Sequence, residues 1–186
     1  MSAPRLVVLA GPNGAGKSTY YRTFLRQSGL KFLNADDIGA KLSLSVSDAA
    51  NAADALRIHL LETGESFITE TVFSDPVGAK LQFLREALFK GYSVTLIYIG
   101  LAGSELSEAR VVQRVIEGGH DVPSESLPRR YQQSLLNLRA AIEFVPTVFV
   151  YDNSSDQDPF RLVLKVEAGH TRAADPLPRW LAKVLL

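Results

Sequence analysis

The sequence contains no cysteine. This absence excludes disulfide bonds, thiolate zinc sites and a cysteine nucleophile. Histidine is also scarce, with three residues at scattered positions, so the sequence gives no indication of a zinc site. A chain without disulfides suits a reducing compartment, and we expect it in the cytoplasm.

The chain also lacks an excess of charge of either sign, because 20 Lys and Arg residues balance 20 Asp and Glu residues. A neutral chain exerts no long-range attraction on nucleic acid or an anionic membrane. Its apolar runs, such as 94–99, are far shorter than a membrane span. We therefore expect neither nucleic acid nor a membrane as a partner. With 186 residues and no Gly/Ser linker, residues 1–186 are predicted to form a single domain.

Short apolar runs typical of buried strands alternate with helical patterns along the chain. The predicted strands are 6–9, 31–34, 67–70, 93–99, 147–151 and 160–166, and the predicted helices are 17–27, 49–63, 75–91, 104–117, 124–144 and a short tail at 178–186. Such alternation predicts parallel pairing through right-handed crossovers. We expect an α/β fold with a three-layer, doubly wound, mostly parallel sheet, and binding sites at the carboxyl ends of its strands.

Two predicted helices have specific apolar faces. Asp75 and Pro76 suit the start of one of them and Gly91 its end, and its apolar stripe is Val77, Leu81, Leu84 and Leu88. The helix at 49–63 has its helical spacing at Ala52, Leu56 and Leu60. The tail helix is expected to dock on the core, with an oligomer or partner surface as the alternative.

The segment 11–19, Gly-Pro-Asn-Gly-Ala-Gly-Lys-Ser-Thr, satisfies the P-loop (Walker A) pattern between a predicted strand and a predicted helix. Such glycines let backbone N–H groups point at phosphate oxygens, and the helix adds its positive end. Lys17 is expected to contact the β- and γ-phosphates and Ser18 to bind Mg²⁺. We expect nucleotide binding by Gly11, Asn13, Gly14, Ala15, Gly16, Lys17, Ser18 and Thr19.

Acidic residues follow the next two predicted strands. Asp36 and Asp37 come after the second strand, and Glu70 with Thr71 ends the third. A kinase needs a carboxylate near the γ-phosphate to deprotonate an acceptor hydroxyl, and a second acid to hold metal or substrate. We interpret Asp36 as the base and Asp37 as a helix cap, with Asp36 as the cap in the alternative. Glu70 is interpreted as a ligand of metal or substrate, and Thr71 as a ligand of substrate. The alternative for Glu70 is a surface acid at a strand end.

Arginines flank a glycine pair between the helices at 104–117 and 124–144. Arg110 and Arg114 share one helical face, and Arg129 and Arg130 begin the next helix. We interpret residues 110–131 as a lid that places Arg114 and Arg130 on the transferring phosphoryl group. The alternative is a solvated helical face. His120, in the turn between the helices, could donate to a phosphate or stabilise the turn.

Asn153 follows the last parallel strand, where it could read the adenine edge or simply form a turn.

Taken together, these motifs resemble the zeta toxin family of P-loop kinases, especially its short chromosomal members. The matching segments are 11–19, Asn-Ala-Asp-Asp-Ile at 34–38, Thr-Glu-Thr at 69–71, a looser match through 114–123, Arg-Arg-Tyr at 129–131 and Tyr-Asp-Asn-Ser at 151–154. The chain is shorter than the toxins, and Val72 stands where they have a hydroxyl residue. The resemblance implies transfer from ATP to the amino-sugar 3′-hydroxyl of UDP-N-acetylglucosamine, with Lys17, Asp36, Glu70, Arg114 and Arg130 in the roles above.

The leading hypothesis is thus an ATP- and Mg²⁺-dependent kinase of a small molecule. A partner-inhibited toxin is compatible with it, with an antitoxin as the candidate partner. The alternatives are a nucleotide-dependent switch with slow hydrolysis and a nucleic-acid end kinase, which would need a basic track with stacking aromatics.

Overall fold

A computed structural model describes residues 2–117 and 124–186. Its centre is a sheet of seven strands in the described residues. The strands are β1 (Arg5–Ala10), β2 (Lys31–Leu33), β3 (Phe67–Thr71), β4 (Ser93–Gly100), β5 (Thr147–Asp152), β6 (Arg161–Glu167) and β7 (His170–Ala173).

The order of strands across the sheet is β2-β3-β1-β4-β5-β6-β7. The first five pair in parallel, whereas β6 and β7 are antiparallel additions at one edge. This confirms the predicted α/β fold with a mostly parallel sheet. Because β1 lies between β3 and β4, the connections diverge at its carboxyl end, where such sheets form their binding crevice.

Helices cover both faces of the sheet. They are α1 (Lys17–Tyr20), α2 (Ala35–Leu42), α3 (Val46–Glu62), α4 (Ala79–Phe89), α5 (Ser104–Ile116), α6 (Leu127–Ile142) and α7 (Arg179–Leu185). Helix α1 continues as a π turn (Tyr21–Leu25) and a 3-10 turn (Arg26–Ser28), and Gly29 ends it in a left-handed conformation, as predicted. A 3-10 turn (Ser124–Ser126) precedes α6.

The alternation of side chains along the strands produces two apolar cores. One core joins Leu6 and Leu96 of the sheet to α3, α4, α6 and α7. The other joins Leu9 and Ile99 to α1 and Tyr131. A parallel sheet covered on both faces explains why the central strands are nearly continuous apolar runs.

The predicted apolar face of α3 is wrong in part. Leu60 is buried as predicted, but Leu56 is 40% exposed. The other buried residues of the helix include Ala49, Ala53 and Arg57, which the predicted spacing omits. Many alanines in this helix make several faces look equally apolar in the sequence, so spacing alone could not select the buried one.

The predicted start of α4 is also wrong. The helix begins at Ala79, because Gly78 adopts a left-handed conformation at its N-cap. Val77 therefore precedes the helix and is 85% exposed, outside the stripe that Leu81, Leu84 and Leu88 belong to. The Asp75 carboxylate still accepts a weak hydrogen bond from Lys80 N at 3.4 Å.

The sequence analysis did not predict β7, which is polar and exposed along its whole length. The tail does form a helix, α7, whose Trp180, Leu181 and Val184 are buried in the core. Within residues 2–117 and 124–186, no helix combines the length and apolar character needed to cross a bilayer.

Gly100 provides a test of how α7 docks. A Cβ atom at this position would lie 2.1 Å from Cη2 of the buried Trp180. We expect Gly100→Ala to lower the free energy of unfolding by about 1–3 kcal/mol through overpacking. Gly103→Ser is the control, since Gly103 is an extended N-cap with open space around its Cα. Urea denaturation that finds equal stability for the two variants would contradict this packing.

Candidate active site

The P-loop follows β1 and depends on glycine at two close approaches. Gly11 has φ 142°, and a Cβ there would lie 2.2 Å from the Ile99 carbonyl oxygen. Gly16 has φ 91°, and its Cβ would lie 2.7 Å from Asn153 Nδ2. Both positions therefore exclude side chains by conformation and by contact. The loop leads directly into α1, so its N–H groups and the helix end face the same space.

Two side chains outside the loop hydrogen-bond to its carbonyl groups. Ser107 Oγ on α5 donates to Asn13 O at 2.7 Å, and Asn153 Nδ2 donates to Ala15 O at 2.9 Å. These two hydrogen bonds hold the loop to α5 and to the segment that follows β5.

Asn153 itself is held firmly. It is 8% exposed, and its Oδ1 accepts from Phe160 N at 3.2 Å. Arg110 donates to the Asn153 carbonyl oxygen at 2.7 Å and pairs with Asp156. Both polar ends of the Asn153 side chain are thus bonded within the protein. These bonds favour a role in positioning the P-loop and argue against a role in reading adenine. Arg110 stabilises the segment after β5 that carries Asn153.

Glu70, at the end of β3, is the meeting point of the site. Its carboxylate accepts from Ser18 Oγ at 3.1 Å and from Asn34 Nδ2 at 2.9 Å, and it lies 4.0 Å from Lys17 Nζ. The parallel register explains this, since Glu70 is level with Leu9 of β1, immediately before the P-loop. The predicted alternative, a surface acid, does not describe a carboxylate with these partners.

Lys17 is buried, at 7% exposure, and its ammonium donates to Pro12 O at 2.9 Å across the loop. Burial lowers the pKa of Lys17, the carboxylates of Glu70 and Asp36 raise it, and Arg114 lowers it. The net lowering shows that the two carboxylates do not fully compensate for desolvation. A bound triphosphate would supply the missing negative charge.

The N-terminus of α2 corrects the assignment of Asp37. Asn34, not Asp37, is the N-cap, and its Oδ1 accepts from Asp36 N at 2.7 Å. Asp36 and Asp37 occupy the first turn, where the helix dipole stabilises negative charge. Capping by Asn34 also leaves its Nδ2 free to bond Glu70.

A cleft of about 440 Å³ lies beside the P-loop. The predicted site residues that line it are Asn13, Gly14, Lys17, Asp36, Glu70, Arg114 and Arg130. Arg114 comes from α5 and Arg130 from α6, so two helices bring guanidinium groups to the same space as Lys17 and Asp36. Asn13 Oδ1 is buried without a hydrogen-bond partner among the described residues, which fits a ligand at this loop.

A second cleft of about 410 Å³ adjoins the first, and Arg130 and Val72 line both. Thr71, Lys80 and Arg129 also line the second cleft. The Thr71 hydroxyl accepts from Phe73 N at 3.2 Å, so it contributes to the turn after β3 as well.

The remaining predicted residues are distributed as follows. Ser18 and Thr19 are exposed on the first turn of α1. His120 lies outside the described residues. The sequence analysis missed Asn34 and Ser107 as site residues, although Asn34 two positions before Asp36 is a recognisable N-cap signal.

The oxygen atoms of Ser18 and Glu70 suit the coordination of a magnesium ion. Mg²⁺ prefers oxygen ligands and is usually held by one or two protein groups together with substrate phosphates and water. The Ser18 hydroxyl and the Glu70 carboxylate supply two such oxygens side by side at the phosphate loop. These two residues therefore fit the metal position that the sequence predicts.

The fold and the phosphate loop define a P-loop NTPase of the nucleoside-kinase-like type. A model of the zeta toxin family matches residues 1–160, and the chain belongs to this family. The resemblance inferred from the motifs is confirmed. Membership supports an ATP-dependent phosphotransferase.

The relatives differ widely in sequence. An uncharacterized protein of Haemophilus influenzae is 28% identical over 132 residues, which cover 68% of this chain and 92% of that protein. Among solved structures, the AvrRxo1-ORF1:-ORF2 complex with ATP has a TM-score of 0.75 at 17% identity, and the match covers 98% of this chain and 63% of that one. The PezAT chromosomal toxin-antitoxin system of Streptococcus pneumoniae has a TM-score of 0.66 at 18% identity, covering 100% and 78%. The chain thus spans less than two thirds of the AvrRxo1 chain it matches.

Asn153→Ala separates positioning from base reading. If Asn153 holds the P-loop, loss of its hydrogen bond to Ala15 O lowers the affinities for ATP and GTP by the same factor, roughly tenfold for one hydrogen bond. Equilibrium titration with both nucleotides measures this. Ser155→Ala, an exposed residue of the same connection, serves as the control and should bind both nucleotides normally. A loss confined to ATP would show that Asn153 reads the base.

Proposed function

We propose that this protein is a kinase that transfers the γ-phosphoryl group of ATP to a hydroxyl group of a small molecule. The observation that carries the proposal is one cleft lined by the P-loop lysine, two carboxylates and two arginines. A module that only binds nucleotide needs the lysine. An exposed carboxylate and two arginines at the same cleft are instead the groups that phosphoryl transfer requires.

The P-loop and Lys17 hold the triphosphate, and Ser18 and Glu70 hold Mg²⁺. The metal, when bound, neutralises charge on the phosphate oxygens. Asn34 orients the Glu70 carboxylate through its amide. Burial holds Lys17 in place, and hydrogen bonds join Ser18 and Asn34 to Glu70, so little reorganisation is required on binding.

Asp36 accepts the proton of the acceptor hydroxyl. It is exposed on the first turn of α2, lines the cleft and is near enough to Lys17 to affect its pKa. Arg114 and Arg130 stabilise charge on the phosphoryl group during transfer. Arg114 and Arg130 lie on different helices, so their convergence on one cleft supports a shared role.

The acceptor is a small molecule that enters from the second cleft, past Val72 and Arg130. The two clefts, of about 440 and 410 Å³, have room for a nucleotide and a second ligand of similar size. By analogy with the family, the amino-sugar 3′-hydroxyl of UDP-N-acetylglucosamine is the first acceptor to test. PezAT is a toxin-antitoxin system, which supports an antitoxin as a candidate protein partner.

The test is incubation of γ-labelled ATP with a panel of hydroxyl acceptors that includes UDP-N-acetylglucosamine. Label should pass to an acceptor. Asp36→Asn should lower kcat about 10²- to 10⁴-fold, because the general base is lost, while ATP affinity stays near that of the wild type. Lys17→Ala should instead weaken ATP binding itself.

Asp37→Asn is the matched control, since it removes the neighbouring charge from the same helical turn. We expect it to retain most of the activity. Label that appears only as free phosphate, unchanged in Asp36→Asn, would contradict the proposal and favour a nucleotide-dependent switch. Label on a nucleic-acid end would favour the end-kinase alternative.

A further inference from the structure

Arg57 is a charged residue that faces the sheet from α3. It is 7% exposed, and its guanidinium reaches the end of β3. Arg57 Nε donates to Thr69 Oγ1 at 2.6 Å, and an Nη2 hydrogen donates to the main-chain carbonyl of Glu70 at 3.0 Å. The planar fork of an arginine can hold two such acceptors in a fixed relation.

The other edge of the guanidinium is held by Asp54, one turn earlier on α3. Asp54 also accepts from Lys80 Nζ on α4 at 2.6 Å. Burial raises the pKa of Asp54, but Lys80 and Arg57 outweigh it and hold that pKa below its usual value. The carboxylate therefore stays charged and compensates for the buried arginine. This chain of contacts ties α3 and α4 to the end of β3.

The position of Glu70 in the sheet explains why such a restraint matters. Strand β2 pairs with β3 as far as the level of Leu33 and Thr69. Within the described part of the chain, Glu70 has a strand neighbour on the β1 side only. Arg57 supplies a hydrogen-bond donor to Glu70 at the residue where the outer strand stops.

We propose that Arg57 is a positioning residue for the active site: by holding the Thr69 hydroxyl and the Glu70 carbonyl, it sets the direction of the Glu70 carboxylate towards Ser18. Arg57 lies on the α3 side of β3 and contacts the main chain of Glu70, so it acts on the metal site through Glu70. This inference rests on the proposed function for its kinetic consequence, but its effect on magnesium-dependent nucleotide binding does not require transfer.

The main test compares Arg57→Met with the wild type in two assays. Loss of a residue that orients a metal ligand typically costs 10- to 100-fold in metal affinity or activity. We expect Arg57→Met to lower kcat by about that factor and, with Mg²⁺ present, to raise KM for ATP because binding of the magnesium complex weakens. In equilibrium titrations, ATP affinity in EDTA should stay within about twofold of the wild type, because the P-loop is untouched. The gain in affinity on adding Mg²⁺ should shrink by about tenfold or more.

Two further variants keep the test decisive if Arg57→Met folds poorly. Arg57→Lys retains the charge and a donor and should recover part of the lost kcat. Thr69→Val removes one acceptor and leaves the bond to Glu70 O, so it should lose less activity than Arg57→Met. Arg172→Met, on the exposed β7 at the far edge of the sheet, is the matched control and should behave as the wild type.

Thermal denaturation of each variant separates positioning from stability. A lower Tm combined with wild-type kcat and wild-type response to Mg²⁺, measured well below that Tm, would overturn the proposal. If the wild-type protein transfers no phosphoryl group, the proposed function fails. The role of Arg57 is then decided by the Mg²⁺-dependent gain in ATP affinity alone.

Discussion

The Glu70 carboxylate joins three separate parts of the chain at one point. It accepts hydrogen bonds from Ser18 after β1 and from Asn34 after β2, and it lies near the end of β3 beside the ammonium of Lys17. Each partner lies in a segment that follows the carboxyl end of a parallel strand, so the sheet order brings them together. A displaced Glu70 would leave the buried Lys17 ammonium without its nearest carboxylate.

The surrounding structure works to keep that group and the P-loop in place. Ser107 and Asn153 hold the loop from the α5 side, while Arg57 holds Glu70 from the α3 side. The same two sides carry the groups that face the cleft, Arg114 on α5 and Asp36 on α2. Preorganised charges of this kind favour transfer because they need not move as charge develops. The fold thus separates residues that face the ligand from residues that support them.

Much of this arrangement was predictable from the sequence, and the failures have physical causes. The P-loop pattern with its strand and helix fixed the position of Lys17, and strand-end acids pointed to Asp36 and Glu70. Asn34 was missed because its amide both caps α2 and bonds to Glu70. The cap is visible in the local sequence, but the bond to Glu70 depends on the fold. Arg57 leaves no signal at all, since a charge on an alanine-rich helix predicts solvent, and its burial depends on Asp54 and on the strand it meets. Two other failures concern helix and strand limits. Apolar spacing placed Val77 in α4, because it does not reveal that Gly78 starts the helix later. Polarity hid β7, because an exposed edge strand has no apolar pattern.

The most direct test of the Glu70 arrangement is ATP titration of the wild type and Glu70→Gln in EDTA and in Mg²⁺. Glutamine preserves the shape and can still accept from Ser18, but it removes the negative charge. We expect Mg²⁺ to raise ATP affinity in the wild type and to lose most of that effect, about tenfold or more, in Glu70→Gln. Affinity in EDTA should be equal or higher in the variant, because one negative charge beside the phosphates is gone. An undiminished response to Mg²⁺ in Glu70→Gln would contradict the placement of the metal at Ser18 and Glu70.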